Sequence, residues 1–186
     1  MLIDYTTRKN LELTETIREK GKFGSLLWVL DSTKTNMGAR MLRKWISQPL
    51  KNIDQINNRL DIVEKIIKNP RLRADLAEIL SRVYDIQRIS MRLLNNTANP
   101  RDFLSLKDTL GVLPEIADVL KELDADYFKS DIISNEGLQA LAGIIDKSIE
   151  KDAPIQIKEG GIIKQGVDAE LDYLKNLLTG GEQWLQ

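Results

Sequence analysis

GSLLWVLDSTKTNMGARMLRKWISQPL, residues 24–50, carries the clearest signal for the fold class of this chain. Its composition predicts two short apolar helices, joined by a turn rich in serine, threonine and asparagine. Pro49 ends the second helix, because proline forces the preceding residue out of the helical region. The stretch contains no phosphate loop, no metal-ligand cluster and no nucleophile paired with a base. It therefore predicts packed helices and not a catalytic centre.

The two predicted helices of this stretch differ in their apolar surface. Leu26–Leu30 is apolar nearly all round, which predicts burial on most sides. The following helix, over about 37–48, carries its apolar residues on one arc at 100° per residue. Trp28 and Trp45 lie within these apolar arcs. We therefore expect both tryptophans to anchor the core.

Three cations share the other face of the second helix and form the candidate contact site. They are Arg40, Arg43 and Lys44. A cationic helix face is a usable contact for DNA phosphates or for a neighbouring domain. The alternative is a solvated face or pairing with acids such as Asp31 and Asp61. We favour the alternative, because a chain with a net charge of −1 has no overall positive potential that would attract nucleic acid.

The next segment carries the most regular helical pattern in the chain. Asn52 and Gln55 form an Asn/Gln version of the capping box at its start. Five aliphatic residues then recur at alternating spacings of three and four, which is typical of a packing seam. They are Ile53, Ile56, Leu60, Val63 and Ile67.

Helical periodicity continues to the end of the chain, with one interruption. The polar residues 124–135 predict a surface loop. In 154–165, two short runs rich in β-branched residues flank Gly160 and Gly161, which predicts a small β-hairpin. The fold expected from these patterns is all-α, a multihelical orthogonal bundle. It forms either one domain or two packed all-α subdomains, with the hairpin near 154–165.

Composition limits the function classes that this chain can belong to. It has 186 residues, of which 42% are hydrophobic, and 27 basic residues stand against 28 acidic ones. Cysteine and histidine are both absent, which excludes disulfides, the usual zinc sites and the commonest general base. No apolar run approaches the roughly 18 residues of a membrane span. We expect a cytoplasmic protein with no catalytic, cofactor-binding or metal-binding residues.

One motif has the frame of a phosphate loop but lacks its chemistry. The glycines of Gly161–Gly166 have the right spacing. Val167 and Asp168 stand where such a loop needs Lys and Ser or Thr, and an acid there would repel phosphate. Asp168 and Asp172 share one helix face. We interpret this pair as acids near a helix N-terminus and not as a catalytic dyad.

Short motifs spread over the chain carry a family resemblance through their order and spacing. They are the opening stretch 24–50, Ile56–Val63 (INNRLDIV), Asp85–Ile89 (DIQRI), Asn99–Asp102 (NPRD), Glu159–Ile163 (EGGII) and Glu170–Asp172 (ELD). In this order they resemble the core and lever region, domain III, of the MutS family of DNA mismatch repair proteins.

The resemblance implies a function that the residues alone do not give. Residues 1–186 would be a MutS core domain leading into the start of the lever helix. The mismatch-reading, clamp and ATPase domains would be absent, so that ATP and Mg²⁺ belong to the full-length protein and no catalytic residue carries over. Expected partners are mismatched double-stranded DNA, reached mostly through other domains, together with those domains and a second subunit of a homodimer, but no membrane.

The resemblance also implies a structural and allosteric role. The domain would link the DNA clamp to the ATPase domain of a protein that binds mismatched DNA under ATP control. The alternative is a helical protein-interaction scaffold unrelated to repair.

Overall fold

The computed structural model of the chain describes residues 3–123 and 135–184, and side chains only as far as residue 178. The described residues form helices joined by turns, with no β-sheet, which confirms the all-α prediction. The helices are α1 Tyr5–Asn10, α2 Leu26–Leu30, α3 Asn36–Ser47, α4 Ile53–Lys68, α5 Pro70–Ser81, α6 Ile86–Leu94, α7 Pro100–Glu122, α8 Glu136–Ser148 and α9 Ala169–Trp184, with a 3₁₀ helix at Ile157–Glu159.

Side-chain caps fix where several helices begin. The Ser25 hydroxyl accepts a hydrogen bond from the backbone N–H of Trp28 at 3.2 Å. Asn52 accepts one from the N–H of Gln55 at 2.9 Å, as its position in the sequence predicts. Thr35 caps α3 in the same way. Each cap satisfies an N–H that has no partner within its own helix.

The chain divides into two compact units. The first comprises Met1–Gln87 and Val112–Ser134, and the second comprises Arg88–Gly111 and Asn135–Gln186. A buried aliphatic cluster from α5, α7 and the residue after α7 forms the core of the first unit. Its members are Leu72, Ile79, Val112, Val119 and Leu123. In the second unit Ile145, Ile149 and Ala153 are buried together, and half-buried residues of α7 pack against them.

The predicted hairpin over 154–165 is wrong. The first β-branched run ends in the 3₁₀ helix, and Ile163 of the second run forms a single antiparallel bridge with Ile149. Gly160 and Gly161 both have positive φ, at 72° and 65°. They direct the second run toward the end of α8 and away from the first run. The predicted loop over 124–135 lies outside the described residues except for Asn135.

Several positions expected in the core of the first unit are exposed. In α2 only Leu27 is buried. Trp28 is 47% exposed and Trp45 is 42% exposed, so the prediction that they anchor the core is wrong. The seam of α4 is exposed as well. Periodicity shows that a face is apolar, but it does not show what covers that face.

Candidate functional site

Arg40 is held by an acid that precedes α6. Its Nη1 donates to Asp85 Oδ2 at 2.6 Å, and its Nη2 donates to Asp85 Oδ1 at 2.8 Å and to Gln87 Oε1 at 2.6 Å. The hydrogen bonds to the carboxylate raise the pKa of Arg40 above its ordinary value. A bidentate arginine–carboxylate pair of this kind fixes the relative orientation of the two groups as well as the distance between them. Arg40 therefore connects α3 to the start of α6.

Arg43 and Lys44 lie beside Arg40 on α3, and both are exposed. Their side chains make no hydrogen bond or ion pair with the part of the chain that the structure describes. The three cations do not act as one cluster, because Arg40 already has a carboxylate partner. Contact of this face with phosphate or with another domain stays a prediction for Arg43 and Lys44.

The acids that the sequence suggests as partners for these cations lie elsewhere. Asp31 pairs with Lys22, and the Thr33 hydroxyl donates to Asp31 Oδ1 at 2.6 Å. Lys22 and then Thr33 lower the pKa of Asp31 to about 2. Asp61 is exposed on α4. Pairing of Arg40 with an acid is thus correct, but the acid is Asp85.

A second cation lies against an aromatic ring near the end of α3. The guanidinium carbon of Arg59 is 3.6 Å from the centroid of the Trp45 ring. A guanidinium over an indole face is a favourable cation–π contact. It joins α3 to α4 across a ring that is half-exposed. No spacing rule in the sequence predicts a contact of this kind between two helices.

A buried carboxylate in the second unit joins α6 to α7. Asp102 is 7% exposed. It accepts hydrogen bonds from Arg92 Nε at 2.8 Å, from Arg92 Nη2 at 2.5 Å and from the N–H of Asn99 at 3.0 Å. Burial raises the pKa of Asp102, but Arg92 and Asn99 together outweigh burial and hold it below the usual 3.8. The group stays ionised and fully bonded, so its role is structural.

An open cleft of about 610 Å³ in the second unit is lined partly by lysines. Two of them donate to backbone carbonyls: Lys164 Nζ to Asp146 O at 2.5 Å and Lys175 Nζ to Ile163 O at 2.8 Å. Glu150 and Asp152 also line the cleft and offset the positive charge. Lys164 and Lys175 therefore hold the segment around Ile163 in place, and the lining as a whole, which includes Lys151, carries three lysines against two acids.

The glycine frame over Gly161–Gly166 does not fit a nucleotide. The N–H of Gly166 donates to the carboxylate of Asp172 at 2.7 Å, so an acid occupies the place where phosphate oxygens would lie. Asp168 accepts from the N–H of Leu171 at 2.9 Å, which is the bond of a helix-capping residue. This frame therefore supplies no site for ATP or its Mg²⁺.

Among the described side chains, those of residues 3–123 and 135–178, no group of three or more acids is arranged to hold a metal ion. None of the helices described is both long enough and apolar enough to cross a lipid bilayer.

Comparison with known proteins places these features in context. A family model described as MutS domain III matches residues 6–181. The DNA mismatch repair protein MutS of Acetivibrio thermocellus is 45% identical over 188 residues, which cover 100% of this chain and 21% of that protein. The MutS of Desulfitobacterium hafniense is 45% identical over 185 residues, covering 100% of this chain and 22% of that protein. The chain thus spans about a fifth of the length of the curated relatives it matches.

Proposed function

Because the chain belongs to the MutS family, as a domain III of that family, we propose that it is the helical core of a DNA mismatch repair protein. The observation that carries this proposal is the match over residues 6–181, together with 45% identity to proteins named for that function. Family membership also speaks against the alternative of a scaffold unrelated to repair.

The domain acts within a longer protein in this proposal. The regions that read the mismatch, clamp the DNA and hydrolyse ATP lie outside residues 1–186, and ATP and Mg²⁺ bind there. The domain itself is not an enzyme. Its partners are the neighbouring domains of its own chain, mismatched double-stranded DNA reached mainly through them, and a second subunit of a cytoplasmic homodimer.

The finer role that we propose is mechanical: the domain links the DNA clamp to the ATPase domain. Hydrogen bonds and ion pairs between different helices support this role in the first unit. Lys65 Nζ of α4 donates to the carbonyl oxygen of Leu123, after α7, at 3.0 Å. Arg82 and Glu115 join the end of α5 to α7. Such bonds connect neighbouring helices, and in this proposal they pass a displacement of one helix to the next.

Side chains connect the elements of the second unit in a similar way. Lys107 of α7 lies 3.3 Å from the Asp146 carboxylate of α8. Lys175 joins α9 to the segment around Ile163. Because α9 resembles the start of the family's lever helix, this bond is the place where a displacement of the lever would enter the second unit.

Substitution of Lys175 in the full-length protein tests the mechanical role. We expect Lys175→Gln to leave mismatch binding and basal ATP hydrolysis intact, and to slow ATP-induced release from mismatched DNA by about fivefold or more. Stopped-flow fluorescence of labelled DNA measures this rate. Lys158→Gln is the matched control, because Lys158 is exposed in the same unit and the charge change is the same. Equal release rates in a correctly folded Lys175→Gln variant would refute the mechanical role.

The chain of residues 1–186 allows a separate test of the non-enzymatic assignment. We expect the rate of ATP hydrolysis to equal that of buffer alone. We also expect no salt-dependent binding to a DNA duplex. Salt-dependent binding that is lost in an Arg43→Gln, Lys44→Gln variant would instead assign a direct DNA contact to α3. ATP hydrolysis by this chain would overturn the assignment.

A further inference from the structure

The long helix α7 belongs to both compact units, and its two halves pack in different cores. Phe103 and Leu106, in the first half, pack against the buried cluster of the second unit. Val112 and Val119, in the second half, are members of the buried cluster of the first unit. The division between the units falls just after Gly111. Each half of α7 is therefore held by the core of its own unit, and the helical backbone continues from one to the other.

The backbone at this division lacks a hydrogen bond that an uninterrupted helix would have. An N–H at position 114 would donate to the carbonyl oxygen of Leu110, but Pro114 has no N–H. The missing bond is one of those that would tie the first half of α7 to the second. Gln139 of α8 donates to the Leu110 carbonyl instead, and both residues belong to the second unit. This carbonyl therefore keeps its partner when α7 bends at Pro114.

Gly111 weakens the helix at the same division, and its surroundings do not require a glycine. Its φ is not positive, and a Cβ at this position would meet no heavy atom of the described residues within 4 Å, apart from its chain neighbours and the backbone of α7 itself. Glycine in a helix interior loses more conformational freedom on folding than any other residue, so it makes the helix locally easier to deform. Neither a left-handed turn nor a close approach explains Gly111, whereas local flexibility does.

A buried threonine adds a third bending feature within one turn of Gly111. The Thr109 hydroxyl is fully buried and donates to the carbonyl oxygen of Ser105 at 2.9 Å. A threonine that bonds back to the carbonyl four residues earlier tends to bend its helix. Proline and glycine are also common causes of helix kinks. These three features therefore fall within six consecutive residues of a helix that has 23 residues in all.

The backbone on either side of this stretch is bound to different helices. Before it, Lys107 lies 3.3 Å from the Asp146 carboxylate of α8. After it, Glu115 pairs with Arg82 at the end of α5. The two halves of α7 therefore follow α8 and α5 respectively, and a change in the angle between the halves has to be taken up between these bonds.

We propose that residues 110–114 are a hinge, at which α7 bends while each half stays packed in its own unit. We call these residues the α7 hinge. The inference goes beyond the proposed function, because it concerns how α7 deforms and does not depend on what the longer protein does. In a domain that passes displacements between helices, the α7 hinge confines deformation to five residues and leaves both aliphatic cores intact.

A distance within α7 tests the hinge in the chain of residues 1–186. The chain has no cysteine, so Arg101→Cys and Asp118→Cys, at exposed positions in the two halves, take spin labels at unique sites. In a straight helix, 17 residues span about 25 Å. Pulsed electron paramagnetic resonance measures the distribution of this distance. We expect the distribution to be about twice as wide in the labelled parent as in a labelled Gly111→Ala, Pro114→Ala variant, which removes the two main breaks in the helix.

Gly111→Ala alone should narrow the distribution as well, and it adds one methyl group in open space, so it does not threaten the fold. Its matched control is Gly143→Ala in α8, where a Cβ also meets no atom within 4 Å. The control raises helix propensity equally but leaves α7 unchanged, so the distribution should keep its width.

Two results would overturn the proposal. One is a parent distribution as narrow as that of the Gly111→Ala, Pro114→Ala variant. The other is equal narrowing by Gly143→Ala and Gly111→Ala, which would assign the effect to general stability. Neither measurement uses DNA or ATP, so failure of the hinge is distinguishable from failure of the repair function.

Discussion

The side chain of Gln139 supplies a hydrogen bond that the backbone at Pro114 cannot make. Gln139 Nε2, on α8, donates to the carbonyl oxygen of Leu110 at 2.9 Å. In an α-helix that carbonyl would accept from the N–H four residues later, and residue 114 is a proline inside α7. Leu110 is 4% exposed, so water is poorly placed to substitute. Gln139 therefore completes α7 from outside the helix.

Replacing Gln139 should destabilise the chain unless the backbone donor is restored. We expect Gln139→Leu to lower the free energy of unfolding by about 1–3 kcal/mol, because a buried carbonyl loses its partner. The same substitution combined with Pro114→Ala should cost less, since an alanine at this position would bring a backbone N–H to the Leu110 carbonyl. Urea unfolding of the four proteins in this cycle measures the coupling. Simple additivity would show that the two residues do not serve the same carbonyl.

Asp102 should be a strong determinant of stability in the second unit. We expect Asp102→Asn to cost about 2 kcal/mol at neutral pH, because Arg92 loses a charged partner that is buried. Thermal unfolding monitored by circular dichroism measures the loss. Asp108→Asn on the same helix is the control, since the Asp108 side chain is half-exposed. A similar loss in both variants would argue against a special role for the buried pair.

The same carboxylate should make stability depend on pH in the acid range. The folded state holds the pKa of Asp102 below its usual 3.8, so the unfolded chain takes up the proton first as the pH falls. The stabilisation from Asp102 is therefore complete above about pH 4 and is lost as the pH drops through the folded-state pKa. We expect the difference between the parent and Asp102→Asn to stay constant above about pH 4 and to shrink as the pH falls below it, as measured by urea unfolding. A constant difference would contradict this origin.

Ser25 should contribute more to the stability of the folded chain than its small side chain suggests. Its side chain is fully buried, donates to the Lys22 carbonyl at 2.7 Å and accepts from the N–H of Trp28. We expect Ser25→Ala to lower the unfolding free energy by about 1 kcal/mol, the usual cost of a lost N-cap. Ser32→Ala is a suitable control at an exposed serine after α2. Equal stability of Ser25→Ala and the parent would show that α2 does not depend on this cap.

Two leucines in neighbouring helices should respond differently to truncation. Leu72 is 4% exposed in the core of the first unit, whereas Leu60 on α4 is 58% exposed. We expect Leu72→Ala to cost about 2–5 kcal/mol and Leu60→Ala less than about 1 kcal/mol in residues 1–186. Urea unfolding measures both. A large cost at Leu60 would mean that this leucine is covered within residues 1–186.

Local signals make much of the fold predictable. The Asn52 cap depends on residues three positions apart, and the end of α3 before Pro49 depends on neighbouring dihedral angles, so both can be seen in the sequence. The hairpin prediction fails because two β-branched runs favour extended backbone but do not specify which segment each run pairs with. Ile163 bridges to Ile149 because the glycines before it direct the chain there.

The candidate site is less predictable, because its geometry depends on residues far apart in the chain. Arg40 and Asp85 are 45 positions apart, and many acids on other helices match the charge of Arg40 equally well. The apolar arc around Trp45 predicts a core position for this residue. Its half-exposed ring beneath Arg59 depends on how α3 and α4 approach each other, and a helical period carries no information about that.

The exposed aliphatic face of α4 also bears on how the protein is made. It consists of Ile53, Ile56, Leu60, Val63 and Ile67. Ribosomes add about 5–20 residues each second, so α4 leaves the ribosome well before the last helix of this chain. This face is an open aliphatic surface of the kind that chaperones bind and proteases sample. Newly made chains that leave this face open should therefore be cleared faster than their own folding free energy alone would dictate.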